Sequence, residues 1–166
     1  MSLSQIEFAH PENPVDLVER VALNKQWSFD REQDDEISIV VAGSWSDYNI
    51  AFTWLPDIEA LHLACAFDLK VPQARRNESL ALISMINEQL WIGHFDIWPK
   101  DGVIMFRHAL LLAGGAVVNS MQCESALSSA VFACERYYQA FQFVIWAGKS
   151  SREALDTTMM ETQGQA

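Results

Sequence analysis

No apolar run in this sequence reaches the roughly 18 residues that a helix needs to cross a membrane, which excludes a helical span. Cysteine is sparse: Cys65, Cys123 and Cys134 make an odd number without a C-x-x-C pair. That argues against a disulfide framework and a zinc knuckle, and points to a reducing compartment. Basic side chains are outnumbered, 11 Lys and Arg against 22 Asp and Glu, for a formal charge of -11. Such a chain repels phosphate backbones and anionic bilayers, so neither nucleic acid nor a membrane is an expected partner. Also missing are a Gly-rich phosphate loop, a G-x-S-x-G elbow and any internal repeat. The opening MSLSQIEFAHPENP has no charged n-region followed by an apolar stretch, and the expected location is the cytoplasm.

What the chain does have is hydrophobic mass. Half of its 166 residues are apolar, with six Trp and nine Phe. Disorder is excluded, because it requires low hydrophobicity, and the length suits one domain with a sizeable core. That domain is expected over residues 13–148, after a loose arm at 1–12 and before a short helix and disordered tail at 149–166.

Asn13 as N-cap, Pro14 at the first helical position and Asp16 in the first turn announce a helix with Leu17, Val18, Val21 and Ala22 on one stripe. From Trp27 the period drops to two. A strand at Trp27 and Phe29 is followed by the turn QDDE, then by EISIVVAGSW, YNIAFTWL and ALHLACAFDL, joined by tight SWSD and PD turns. Beyond Val71-Pro72, Leu82 or Ile83, Ile86 and Leu90 recur at helical spacing, and WIGHFDIW and VIMFRHALLL form a hairpin around PKDG. A long helix runs from near Asn119 to Gly148, with Cys123, Leu127, Ala130, Cys134, Tyr138, Phe141 and Ile145 on one stripe, which makes the thiols buried structural groups. Ser150 and Glu153 form a capping box for the last helix. The predicted fold is α+β, in the order α-β-β-β-β-α-β-β-α with a final short helix: an antiparallel meander and hairpin with helices packed on it.

Simple turns put Ile37, Ile39 and Val41 on one face with Tyr48, Ile50, Phe52, Trp54, Leu61, Leu63, Cys65 and Phe67. The reverse face collects Ser38, Val40, Ala42, Asn49, Ala51, Thr53, His62, Ala64 and Ala66. Small side chains permit close approach, so Val40, Ala42, Ala51 and Ala64 are candidate contacts to a second copy or a protein partner, as are Leu155 and Met159 of the last helix. The tryptophans Trp45, Trp54, Trp91, Trp98 and Trp146 read as core packing in preference to a ligand groove.

The stretch LWIGHFDIWPKDGVIMFRHALLL gathers His94, Asp96, Arg107 and His108. A four-residue turn at 99–102 pairs His94 with Arg107, Phe95 with Phe106, Asp96 with Met105 and Ile97 with Ile104. Asp96 then stands diagonal to Arg107 as a structural pair, and His108 falls on the core side opposite Gly93, whose missing side chain makes room for the imidazole. The histidines point to opposite faces, so no metal or cofactor site is expected. A small-ligand or hydrolase-like site on His94, Asp96 and Arg107 is the alternative to a non-enzymatic protein-binding module.

The run MINEQLWIGHFDIWPKDGVIMFRHALLLAGG, with ACERYYQAFQFVIWAGKS after it, resembles the bacterial YbjN family. The resemblance is carried by Asn87, Trp91, Gly93-His94-Phe95, Asp101-Gly102, Phe106-Arg107 and the Tyr137 to Gly148 helix end, and covers residues 13–150. It implies a fold like that of type III secretion chaperones, a small cytoplasmic homodimer described as a "putative sensory transduction regulator", and no catalytic residues. One departure is Gln139, where many relatives carry a proline that would interrupt the helix.

Overall fold

The computed structural model describes residues 13–164; the arm at 1–12 and the last two positions of the tail lie outside it. Helix α1 (Pro14–Lys25) starts as its sequence dictates: Asn13 accepts the Val15 N–H, and Pro14 gives up no hydrogen bond there. Strands β1 (Ser28–Gln33), β2 (Glu36–Ala42), β3 (Asp47–Leu55) and β4 (Ala60–Lys70) follow as a meander. Helix α2 (Arg76–Gln89), the hairpin β5 (His94–Ile97) and β6 (Val103–Leu111), the 26-residue α3 (Ser120–Ile145) and α4 (Ser151–Gly164) complete the chain. All six strands form one antiparallel sheet in the order β1-β2-β3-β4-β6-β5, so the hairpin inserts β6 against β4 and leaves β5 at the edge.

Alternation decides which face the helices cover. Ile37 pairs with Phe52 and Ile39 with Ile50, and these pair onward with Leu63 and Cys65; all six are buried. α1 packs on β1 to β3, α3 on β4 and β6, and α2 on β5. Phe67 sits among the rings of Tyr48, Phe95, Tyr138 and Phe141, and Phe95 also meets Phe106 and Tyr137 at centroid distances of 5.6 and 6.0 Å. Edge-on aromatic pairs of this kind add to the area they bury.

α3 runs unbroken through Gln139, as a residue with a free N–H allows. Its stripe buries Cys123 and Cys134, and Cys134 meets Cys65 of β4 at an Sγ–Sγ distance of 3.6 Å. Burial pushes the Cys123 thiol up to about 11 and raises that of Cys134, which disfavours thiolate at both.

α4 packs on α3 and α2 instead of standing free. Its docking is set by two α2-end side chains. Arg75 donates to the carbonyls of Val144 (2.8 Å) and Lys149 (2.7 Å), which the end of α3 leaves without helical partners, while Glu78 accepts the Ser151 N–H at the start of α4 (2.9 Å). Ala154 and Leu155 thereby join the core, and the helix continues to Gly164, three residues into the tail expected to be disordered.

Candidate functional site

The polar cluster lies where β4, β6 and β5 run side by side. The hairpin register is the one its turn predicts: His94 opposite Arg107, Asp96 opposite Met105. Arg107 reaches sideways in both directions. Its Nη1 lies 3.5 Å from Asp96 Oδ2 on β5, and its Nε donates to His62 Nε2 on β4 at 3.2 Å. The Asp96 pair is half-exposed on both sides and contributes less than about 1 kcal/mol. His62 accepts from a guanidinium, so it is neutral at Nε2. Burial, then Arg107, then His94 and His108 hold its pKa below the usual imidazole range, and burial followed by His94 does the same for His108.

Two expectations change here. Gly93 does make room, but for a different side chain. A Cβ on Gly93 would overlap the Phe106 ring and stand 2.8 Å from the Arg107 carbonyl, and its φ of +70° suits only glycine. The space therefore belongs to Phe106, and His108 is half-buried at the rim. Nor do the histidines part cleanly. His62, His94, Arg107 and His108 line one concavity of about 360 Å³, because the open end of the sheet lets side chains of both parities reach the same rim. Asp96 does not line it, so the constellation of His94, Asp96 and Arg107 is not assembled as one pocket. His62 was absent from the predicted cluster; only the register of β4 beside β6, a long-range pairing, brings it in. Among the described residues no group of three or more His, Cys, Asp or Glu is arranged to hold a metal ion, and no helix is long and apolar enough to cross a membrane.

Four of the five tryptophans are a third correction, while Trp54 packs partly buried against the core as expected. Trp91 is 99% exposed and Trp146 67%, with Trp45 and Trp98 about half exposed. Trp91 lies in the loop before β5, which begins only at His94, so strand parity does not apply to it. Trp146 follows the last turn of α3, past its packed stripe.

Among the described residues, no helix packs on the reverse face of the sheet. Ser38, Ala51 and Ala64 stand in one cross-strand lane that runs on through Arg107 to His94, and Val40, Asn49 and Ala66 stand in the next. Val40 and Ala42 are exposed; Ala51 and Ala64 are half-buried by their sheet neighbours. Of the tail candidates, Leu155 is 4% exposed inside this chain's own core and is withdrawn as a partner contact, and Met159 is partly buried beside Arg136.

Asn87 holds the hairpin to α2. Its amide accepts the Phe95 N–H (2.8 Å) and donates to the Phe95 carbonyl (3.1 Å), so one side chain satisfies both outward groups of Phe95 on the edge strand.

The model of the YbjN family, described as "Putative bacterial sensory transduction regulator", matches residues 14–143. This chain belongs to the YbjN family. Among solved structures, one described as "Crystal structure of YbjN, a putative transcription regulator from E. coli" aligns with a TM-score of 0.50 at 11% identity, covering 75% of this chain and 93% of that one. At that identity the likeness concerns the fold, which agrees with the α+β order seen here. Comparison with curated proteins gave no match. The YbjN family is described as one of regulators, and that description names no reaction.

Proposed function

We propose that this YbjN-family chain is a non-enzymatic, homodimeric regulatory module of the cytoplasm that acts by contacting another protein. The observation that carries this reading is the uncovered sheet face. Along β2, β3 and β4 it presents Ser38, Val40, Ala42, Ala51, Ala64 and Ala66, a surface of small side chains that a second flat surface can approach closely. The family description as a regulator supports it, and so does the charge of -11. A chain so acidic regulates more readily through proteins than by gripping phosphate backbones. The resemblance of the element order to type III secretion chaperones adds support by analogy of fold alone.

The test is sedimentation equilibrium on the full chain and on Ala51→Arg, with circular dichroism as the check on folding. A wild-type dimer that the arginine converts to a folded monomer is expected. A wild-type monomer, or a dimer indifferent to the arginine, would sink the reading.

A further inference from the structure

Three concavities lie on the hairpin side of the molecule, two of them against α3. One of about 460 Å³ lies between the α2–β5 loop and the middle of α3, one of about 160 Å³ adjoins it, and the last is the 360 Å³ hollow beside Arg107. They are neighbours, since Ile92 and Ser129 line the first two and His108 lines the second and third. Apolar side chains stand exposed along the first: Trp91 at 99%, Phe132 at 65% and Ile92 at 51%. Patches of this kind on a folded surface mark binding sites. The charge pattern is equally distinct. In a chain with 22 acidic residues, none of the described Asp or Glu lines any of the three concavities. Arg136 stands at one end, and Arg107 with His62, His94 and His108 at the other.

We propose that this groove binds a segment of another protein in which apolar side chains are flanked by Asp or Glu. The apolar side chains cover Trp91, Ile92 and Phe132, and the carboxylates pair with Arg136 and Arg107. The Asp96 pair does not prevent this, because a half-exposed contact at 3.5 Å yields readily to a competing carboxylate. An acidic segment is repelled by most of a surface with net charge -11, so attraction concentrated in the acid-free groove also directs where it lands. The inference rests on the protein-contact reading above and adds the location and the chemistry of the partner.

The experiment is selection of a phage-displayed random-peptide library on the full-length chain, followed by fluorescence anisotropy of the selected peptides. Selected sequences are expected to combine aromatic or aliphatic residues with Asp or Glu, and to bind Trp91→Ala at least about tenfold more weakly. The double variant Arg107→Glu with Arg136→Glu is expected to reverse the preference toward Lys- and Arg-bearing peptides. All three side chains are exposed or half-exposed, so these variants keep the fold. The proposal is overturned if no peptide is enriched, if enriched peptides are neutral or basic, or if Trp91→Ala binds them undiminished. Loss of self-association in Trp91→Ala would overturn it too, since a second copy would then be the occupant. Failure here leaves the sheet-face dimer standing, because Ala51→Arg tests that face independently.

Discussion

The two faces of the sheet are written by alternate residues of the same strands, yet they serve opposite ends. On the helix side, Ile37, Ile39, Ile50, Phe52, Leu61 and Leu63 are each at most 1% exposed, and rings from four strands and α3 interlock around Phe67 and Phe95. On the other side the partners in register are Ser38, Ala51, Ala64, Arg107 and His94, and no helix of the described residues covers them. The difference teaches that a packed face and an open one are separated by a single residue step. Mutations can therefore be aimed at one without the other.

The sharpest contrast comes from Phe95. Truncation to alanine removes a ring that meets Phe67, Phe106, Tyr137 and Phe141, and is expected to cost about 3–5 kcal/mol in urea unfolding. Next is Arg75→Ala, which leaves the Val144 and Lys149 carbonyls without their charged donor. A loss of about 1.5–3 kcal/mol is expected, with increased amide exchange confined first to α4.

A smaller effect depends on pH. Burial, with Arg107 second, lowers the His62 pKa from its ordinary 6.5, so the folded chain holds fewer protons than the unfolded one as pH falls through that value. The stability His62 contributes is complete above the ordinary value and is lost on acidification toward the lowered one. His62→Gln should flatten the decline of the urea midpoint between neutral pH and about pH 5.5; an unchanged slope would assign the decline to other groups. Smallest is Ala51→Arg, expected to shift folding stability by no more than about 0.5 kcal/mol while abolishing self-association. A large stability loss from it would erase the distinction between the faces.

Much of the fold was legible because the signals were local. Strict alternation joined by tight turns set the register of β2 with β3 and β4, and the turn at 99–102 set that of β5 with β6. Asn13 and Pro14 marked the start of α1, and the start expected near Asn119 coincides with a reciprocal Asn119–Gln122 capping box in the structure. What escaped required knowing which distant surfaces meet. Gly93 reads as space, but only the packed fold shows that Phe106 fills it. Cys134 shares a stripe with Cys123, yet its sulfur neighbour is Cys65 on β4. α4 was amphipathic on paper, and the Arg75 and Glu78 contacts that seat it join residues more than 65 positions apart. The exposed Trp91 and Phe132 escaped for the opposite reason, since hydrophobicity alone predicts burial, whereas position in a loop or on an outer helix face forbids it.

The amide of Asn87 bears on how such an aromatic-rich chain stays discrete. β5 is the sheet's outer strand on the hairpin side and only four residues long. With both outward groups of Phe95 already engaged by Asn87, an incoming strand finds no free ladder at its centre. A side chain on a helix thus acts as a stopper against the addition of a further strand at this edge.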